Sequence, residues 1–176
     1  MENREPPRLH VVGVESEPVD VESLFRRYGP YVATIGLRLL GRRDEADDLV
    51  QDVFYDIHRR SPTLIHPAAA KSWLAKIAVR KAFRRLRRRR LRAWIGLDDL
   101  SDVREPSVGA SQEQRVAFIE LYRQLERLPA PARIAWTLRH IEGLPLAEVA
   151  DLCECSLATV KRRITSAAEQ LEEHKP

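Results

Sequence analysis

The most chemically distinctive stretch of the sequence is a run of cations, KSWLAKIAVRKAFRRLRRRRLR at residues 71–92, which holds eleven Lys or Arg and no Asp or Glu. Lys and Arg at this density suit phosphate neutralisation, and the counterions released from a nucleic acid supply binding free energy. Four of them recur at intervals of four, four and three residues, on one face of a helix: Lys76, Arg80, Arg84 and Arg87. A solvated cation cluster is the alternative, but no acid within the run offsets its charge, so nucleic-acid contact is favoured.

A second candidate site lies in LPLAEVADLCECSLATVKRRITSAAEQL, residues 144–171, which has the pattern of two helices joined by a tight turn. Ser156 can cap the second helix, whose predicted buried side is Leu157, Val160, Ile164, Ala167 and Leu171. The outer side carries Lys161, Arg162, Thr165 and Ser166. Cations and hydroxyls on a short exposed helix suit major-groove reading, where Arg can pair bidentately with guanine. An ordinary helical hairpin with a solvated surface is the alternative.

Residues 44–56 form the opposite kind of surface, with six acids and no base. Apolar residues in the same segment recur at the helical period: Ala46, Leu49, Val50, Val53, Phe54 and Ile57. This pattern predicts an amphipathic helix that buries one side and presents acids on the other. Acidic and basic blocks on one chain indicate separate faces for separate partners.

The elements around these sites are all predicted to be helical. One helix precedes Gly41 near residues 22–40, another follows the loop around Pro62 and Pro67, and helical pattern returns after residue 114. Residues 94–114 lose the period and collect Gly, Pro, Ser and Asp. The sequence therefore predicts an all-α fold of two small helical domains joined by a flexible linker, the C-terminal one containing a helix-turn-helix.

Several function classes find no support in the sequence. It has no phosphate-cradling glycine loop, no nucleophile with a partnered base and no metal-spaced carboxylates, so we expect neither an enzyme nor a bound cofactor. Cys153 and Cys155 lack further ligands at zinc spacing and are predicted to be buried small hydrophobes. No apolar stretch approaches the roughly 18 residues that span a bilayer, so we expect no membrane insertion. Because the two cysteines are too close for an easy disulfide, we expect a reducing, cytoplasmic location.

Three motifs resemble those of the extracytoplasmic-function (group IV, sigma-70 type) sigma factors of bacterial RNA polymerase. DEADDLVQDVF resembles the core-binding helix of that family, and KSWLAKIA resembles its aromatic-centred promoter-melting segment. LPLAEVADLCECSLATVKRRI resembles its promoter-reading helix-turn-helix. The motifs follow the family's order and spacing, and the resemblance covers residues 21–173.

The resemblance implies a division into a flexible tail (1–20), sigma domain 2 (21–92), a linker (93–114) and sigma domain 4 (115–176). It implies that domain 2 binds core RNA polymerase and melts the −10 promoter element, and that domain 4 binds the −35 element. The implied partners are the β′ and β subunits of core polymerase, promoter DNA and an inhibitory anti-sigma factor.

The resemblance also implies roles for individual residues. The implied polymerase contacts are Asp48, Leu49, Gln51, Asp52 and Phe54. The implied −10 contacts are Trp73, Lys76, Arg80, Arg84 and Arg87, with the 61–70 loop capturing a flipped base. The implied −35 contacts are Ser156, Thr159, Lys161, Arg162, Thr165 and Ser166.

The chain departs from the family pattern at four of its positions. Arg80 and Arg84 stand where the family often has Asn and Asp, Glu154 where Gly is usual, and Ser166 where Arg is common. We therefore expect altered base preferences, and about 1 kcal/mol of strain at Glu154 if its backbone is left-handed. A stand-alone helix-turn-helix regulator is the alternative function, although it would have no use for the acidic and basic N-terminal helices.

Overall fold

The structure is a computed structural model that describes residues 20–60, 69–94 and 111–173. These residues form seven helices and no strand: α1 (Val21–Leu40), α2 (Arg43–Arg60), α3 (Ala70–Trp94), α4 (Gln112–Arg127), α5 (Ala130–His140), α6 (Leu146–Leu152) and α7 (Leu157–Glu172). The predicted all-α fold is confirmed. The tail up to residue 19, the loop at 61–68 and linker residues 95–110 lie outside the described residues. None of the helices described is long and apolar enough to cross a membrane.

Two helix boundaries differ from the prediction. α3 continues to Trp94, and α4 begins after Ser111, so both ends of the predicted 93–114 linker are helical. The reason at α4 is a capping box: the Gln114 amide donates to the Ser111 hydroxyl at 3.2 Å, and the Ser111 amide donates to the Gln114 side chain at 3.0 Å. The Ser-x-x-Gln spacing is a sequence signature of a helix start that the linker interpretation overlooked.

α1, α2 and α3 form the first bundle, held together by apolar stripes, of which that of α2 is the one predicted above. Leu39 of α1, Leu49 of α2 and Leu74 of α3 are completely buried in its core. α1 is capped at its start by Asp20, whose carboxylate accepts from the Glu22 amide at 3.0 Å. Asp20 thus belongs to the first helix and not to the predicted tail.

α4, α5, α6 and α7 form the second bundle, which contains the predicted helix-turn-helix. Val149 of α6 and Val160 of α7 are fully buried, so the two short helices meet through small aliphatic residues. Ser156 caps α7 as predicted, accepting from the Thr159 amide at 3.1 Å. Within the turn between α6 and α7, Glu154 has φ 50, the left-handed conformation for which strain was expected where the family usually has Gly.

The two bundles pack directly against each other, which the sequence did not predict. One apolar core cluster runs through both, including Leu40 and Val79 from the first bundle and Ile134 and Val149 from the second. The carboxyl end of α1 lies against α4 and α5, and the start of α3 lies against α6 and its turn. The packing places the helix-turn-helix beside the cation-rich helix.

Candidate nucleic-acid interface

The predicted cation stripe of α3 divides into two halves with different surroundings. Lys76 Nζ lies 2.7 Å from Asp151 Oδ1 of α6, and Arg80 is ion-paired and hydrogen-bonded to Glu154 of the turn. Only 29% of the Lys76 side chain and 27% of the Arg80 side chain are exposed. The acid-free run is therefore neutralised at this end by acids distant in sequence.

The other half of the stripe faces solvent. Arg84 and Arg87 are both exposed, and neither side chain has an acidic partner among the described residues. Exposed guanidinium groups one helical turn apart can contact successive phosphates. This half has the accessibility that a nucleic-acid surface requires.

Three other cations of the run have structural roles. Arg85 pairs with Asp52 and, at 3.8 Å, with Asp48, while Lys81 Nζ lies 2.7 Å from Asp56 Oδ2; all three pairs tie α3 to α2. Arg89 is 7% exposed and makes ion pairs to Glu45 and, at 3.0 Å, to Glu126. The nucleic-acid contact favoured for the run as a whole therefore does not extend to Arg89, because acids from α2 and α4 enclose it.

Trp73 has two environments, one in the core and one accessible to solvent. Its side chain is half-buried and packs against the core cluster, so one part of the indole supports the first bundle. The remaining part is accessible at the start of α3, three residues before Lys76. An aromatic surface in such a place can stack on an unpaired base.

On α2, the predicted polymerase contacts separate into an exposed set and a buried set. Asp48, Gln51 and Asp52 are exposed. Leu49 is 0% exposed and Phe54 is 6% exposed, so their assignment as direct contacts is corrected: both hold α2 in the bundle. They belong to the helix's apolar stripe, which the first bundle buries.

Two large exposed aromatic side chains of the first bundle were not singled out from the sequence. Tyr55 is 64% exposed, and Phe25 is 48% exposed with its ring packed edge-to-face on Phe54, the centroids 5.1 Å apart. Both positions lie in segments that show the helical periodicity. Tyr55 lies outside the apolar stripe predicted for α2, on the same side as Asp48 and Asp52, so it adds an apolar component to the acidic surface.

The exposed side of α7 carries most of the predicted DNA contacts. Lys161, Arg162 and Thr165 are exposed, whereas Thr159 and Ser166 are half-buried. The Thr159 and Ser156 hydroxyls hydrogen-bond each other at 2.8 Å, and Ser166 accepts from Gln170 at 3.1 Å. These bonds give Ser156, Thr159 and Ser166 partners within the helix itself.

Leu157 was predicted to face the core but is 44% exposed. It occupies the first position of α7, ahead of Val160, where the buried stripe begins. An apolar side chain beside Lys161 and Arg162 can contact the methyl group of thymine in the major groove.

The turn of the helix-turn-helix contains both thiols and a strained residue. Both cysteines are free, half-buried and packed against the core, in line with the prediction of small hydrophobes. Burial raises the pKa of the Cys153 thiol to about 12, and Arg163 donates to Cys155 Sγ at 3.3 Å. In the described part of the chain, no group of three His, Cys, Asp or Glu residues could hold a metal.

A buried polar cluster joins the two bundles behind these surfaces. Arg133 of α5 is 2% exposed and donates to the carbonyls of Leu39 at 3.1 Å and Leu40 at 2.9 Å. Tyr122 of α4 donates to the Arg38 carbonyl at 2.7 Å. Side chains of the second bundle thus satisfy carbonyls at the end of α1 that have no partner within the helix.

Burial shifts the acid–base equilibria of this cluster. Desolvation, reinforced by the nearby Arg89 charge, lowers the pKa of Arg133 to about 10. Desolvation raises the pKa of Tyr122 to about 12. At neutral pH, Arg133 is therefore cationic and Tyr122 neutral, the forms in which both donate to the α1 carbonyls.

Comparison with known proteins relates this arrangement to a transcription factor family. The family model for Sigma-70 region 2 matches residues 24–92, and that for Sigma-70 region 4 matches residues 118–171. The chain is 31% identical to the ECF RNA polymerase sigma-E factor of Haemophilus influenzae, over 85% of this chain and 84% of that protein. It is 30% identical to the sigma-E factor of Escherichia coli K12, over 85% and 83%.

Solved structures with the same fold include two complexes, one of which contains a sigma factor. The sigma factor RpoE of Bartonella quintana, crystallised with the anti-sigma factor NepR, is 23% identical, with a TM-score of 0.64 over 88% of this chain and 95% of that one. CnrH in complex with the cytosolic domain of CnrY is 21% identical, with a TM-score of 0.56 over 87% and 85%. These two similarities show the fold.

Both sigma-70 regions are thus present in order, and the likeness to the Haemophilus protein extends over most of both chains. A stand-alone helix-turn-helix regulator would not account for the region 2 match. The chain belongs to the extracytoplasmic-function sigma factors, which bind core RNA polymerase and direct it to promoters.

Proposed function

We propose that this sigma factor divides its task between three surfaces: the acidic face of α2 for core polymerase, the cation stripe of α3 for the −10 element, and the exposed side of α7 for the −35 element. The observation that carries the proposal is the exposure of opposite charges on separate helices, with acids on α2 and cations on α3 and α7. A DNA-binding surface alone would account for the cations but not for the acidic face.

On α2, the polymerase contacts are Asp48, Gln51 and Asp52, with Tyr55 as an apolar addition beside them. Carboxylates on an exposed face complement basic side chains on a partner and steer its approach. Leu49 and Phe54 support this surface from beneath, by anchoring the helix in the bundle. Docking through this face would engage the β′ subunit, and domain 4 would contact the β subunit.

On α3, Arg84 and Arg87 neutralise phosphates of the −10 element, and Lys76 and Arg80 extend the same stripe. Trp73 stacks against an unpaired base at the edge of the opened strands. Strand opening requires a few kcal/mol per unstacked base, and aromatic stacking offsets part of it. Cationic contacts along one strand then hold the opened form.

On α7, Lys161 and Arg162 enter the major groove of the −35 element, with Thr165 and Leu157 beside them. Ser156 and Thr159 fix the start of the helix, and their hydroxyls remain close enough to the surface to meet a phosphate. Ser166, half-buried and bonded to Gln170, lies at the margin of the contact. This arrangement is typical of a recognition helix.

The protein acts by binding alone: polymerase supplies the catalytic centre, and no cofactor is needed. The cytoplasm, where polymerase meets the chromosome, is the corresponding location. Since one solved neighbour is a sigma factor in complex with an anti-sigma factor, we extend the proposal to an anti-sigma factor that holds this chain inactive. A strain in which the chain is fully active under every growth condition, with no inhibitor bound, would remove that part.

Reconstitution with core polymerase tests the proposal. The holoenzyme should start transcription at a discrete set of sites in genomic DNA, and sequencing of transcript starts should yield two sequence elements. Core polymerase alone provides the baseline. If the chain bound the same genomic sites without polymerase and added no transcript starts, the division into three surfaces would be wrong.

A further inference from the structure

A cavity of about 270 Å³ lies where the two bundles meet, between the carboxyl-terminal half of α3 and the corner that joins α4 to α5. About 10–15 Å³ suffices to hold one water molecule, and small-molecule sites begin at roughly 300 Å³. The volume therefore approaches that of a small-molecule site. Its charged lining consists of four arginines and one acid: Arg89, Arg90, Arg127, Arg133 and Glu126.

The two deep arginines of this cavity have hydrogen-bond donors to spare. Arg133 is 2% exposed; its Nε and Nη2 donate to the carbonyls of Leu39 and Leu40, and its Nη1 makes no hydrogen bond to the described part of the chain. Arg89 is 7% exposed, and its Nε is buried without a partner among the described residues. Buried polar groups are nearly always paired in folded proteins. Spare donors on guanidinium groups that line a cavity suit an acceptor bound within it.

The ion-pair network behind the cavity has more arginines than acids. Arg89 pairs with both Glu45 and Glu126, and Arg42 lies 3.9 Å from an oxygen of each. Arg133 adds a third guanidinium group beside these two acids. Desolvation and the Arg89 charge lower the pKa of Arg133 only to about 10, so it is cationic at neutral pH. Three arginines thus share two carboxylates, and the network keeps one positive charge.

Two further arginines line the cavity from its exposed side. Arg90 of α3 and Arg127 of α4 are exposed, and neither forms an ion pair with an acid of residues 20–60, 69–94 or 111–173. They belong to different bundles, so the packing brings like charges together where an interface ordinarily places opposite ones. Added to the one charge of the network, they make a local surplus of three positive charges. An anion between the helices would relieve this repulsion.

The rest of the lining is apolar and comes from both sides of the cavity: Leu86 and Ala93 from α3, and Leu128 and Ala130 from the corner between α4 and α5. A bare inorganic anion would leave these walls without contacts, whereas a ligand with an apolar or planar body covers them. Guanidinium groups bind carboxylates and phosphates bidentately. The surplus of three charges favours a phosphate monoester, which carries about −1.5 to −2 charges at pH 7, over a carboxylate with one.

We propose that this cavity is a binding site for a small phosphate monoester with an apolar or planar body. The phosphate lies among the guanidinium groups of Arg90, Arg127 and Arg133, and the body packs against Leu86 and Leu128. Because Arg90 belongs to the first bundle and Arg127 to the second, the ligand contacts both bundles at once. None of the residues assigned above to polymerase or to promoter DNA lines the cavity, so the site is independent of those contacts.

The test measures binding of phenyl phosphate to the full chain by isothermal titration calorimetry at fixed ionic strength, with inorganic phosphate and benzoate as comparison probes. Inorganic phosphate lacks the apolar body, and benzoate lacks the second charge. We expect one phenyl phosphate per chain, bound more tightly than benzoate. It should bind about 10-fold or more tighter than inorganic phosphate, because the ring is buried. Since the ligand binds the folded chain, it should also raise the melting temperature.

Two variants separate the charge of the cavity from its shape. Arg90→Gln with Arg127→Gln removes both exposed charges and should weaken phenyl phosphate binding about 2- to 30-fold. The matched control is Arg88→Gln with Arg123→Gln, exposed arginines of the same two helices that do not line the cavity, which should leave the affinity unchanged. Ala93→Leu narrows the cavity without changing its charge. It should weaken the binding of phenyl phosphate more than that of inorganic phosphate.

Circular dichroism establishes that each variant is folded before its affinity is compared. Absence of phenyl phosphate binding at millimolar concentration overturns the site. An equal loss of affinity in the control pair means that the net charge of the chain attracts the anion, which also overturns it. If Ala93→Leu left phenyl phosphate binding unchanged, the anion would lie on the surface and not in the cavity. Benzoate binding as tightly as phenyl phosphate would overturn the assignment of a phosphate monoester.

Discussion

The ring of Tyr122 lies against the α-carbon of Gly41, so closely that a Cβ on Gly41 would come within 2.2 Å of Tyr122 Cδ1. Gly41 ends α1 with φ 75, and its amide donates to the Leu37 carbonyl at 2.7 Å. The glycine therefore serves two purposes: it allows the left-handed helix end, and it leaves room for an aromatic ring from the second bundle. The contact joins the two bundles through a residue whose sequence context indicated only a helix end.

Replacing Gly41 with Ala should destabilise the protein by about 2–5 kcal/mol, the sum of about 1–2 kcal/mol for a left-handed non-glycine residue and about 1–3 kcal/mol for overpacking. Urea unfolding followed by circular dichroism measures the change. Gly143→Ala is the matched control, because Gly143 has φ 70 but no atom within 4 Å of its added Cβ. Equal losses in the two variants would show that Tyr122 yields to the added methyl group.

The acidic face of α2 should contribute to polymerase binding. Asp48→Asn with Asp52→Asn should weaken the complex with core polymerase about 2- to 30-fold, the effect of removing two largely exposed charges. Affinity is measured with purified core enzyme at fixed salt. Since both acids pair with Arg85, circular dichroism must show unchanged helicity. The control is Asp47→Asn, because Asp47 lies about a quarter-turn away from Asp48 round the helix. Equal affinity of the wild type and both variants for core polymerase would contradict the assignment.

The secondary structure and the recognition helix were largely predictable because their signals are local. An apolar stripe at the helical period identifies α2 from its own residues, and Ser156 marks the start of α7. The exposure of Arg162 follows from the same periodicity, since it lies opposite buried Val160 and Ala167.

The contacts between the bundles were not predictable, because their partners are far apart in the sequence. Arg89 is enclosed by Glu45 and Glu126, 44 and 37 residues away, and Arg133 bonds carbonyls more than 90 residues away. In the sequence, neither arginine differs from the exposed ones. The acids that neutralise Lys76 and Arg80 lie in a separate motif, so charge counted within residues 71–92 overstated the free charge of the stripe.

Arg162 should distinguish base reading from phosphate contact at the −35 element. Arg162→Ala should weaken binding to the preferred promoter by about 1–3 kcal/mol and relax preference at one base pair if the side chain pairs with guanine. Arg162→Lys keeps the charge but loses the bidentate fork, so it should leave the preference relaxed. Binding to a library of randomised −35 sequences measures both effects. Uniform loss in the Ala variant and full recovery in the Lys variant would instead identify a phosphate contact.

Cys153 should make stability fall between pH 9 and 10. Its pKa rises from an ordinary 9 to about 12 in the fold, so in this window the unfolded chain loses a proton that the folded chain keeps. Stability is then present below pH 9 and decreases as pH rises, by at most about 1.4 kcal/mol per pH unit. Tyr122 and Arg133 have ordinary pKa values of 10 and 12.5, so they change the stability mainly above pH 10, and they change it in opposite directions.

The measurement compares wild type with Cys153→Ala by urea unfolding at pH 8, 9 and 10 in the presence of a reductant. The alanine variant loses some packing at every pH but has no thiol to ionise. Its stability should therefore fall less steeply than that of the wild type above pH 9. Parallel curves for the two proteins would mean that the thiol is as accessible to water in the folded chain as in the unfolded one.

The exposed half of the α3 stripe should account for part of the salt dependence of promoter opening. Arg84→Ala with Arg87→Ala removes two cations that have no acidic partner in the described structure and take no part in the core. Each phosphate that is no longer neutralised should reduce the salt slope of holoenzyme–promoter binding by about 0.9 for duplex DNA or 0.7 for a single strand. The double variant should also open promoters more slowly, while its affinity for core polymerase stays unchanged.

The control variant replaces a pair of exposed arginines elsewhere, Arg27→Ala with Arg123→Ala. It changes the net charge equally and should leave the salt slope as it is. Normal opening by the Arg84 and Arg87 variant at moderate salt would show that this half of the stripe is a solvated surface, and the DNA contact would then have to be sought on another helix.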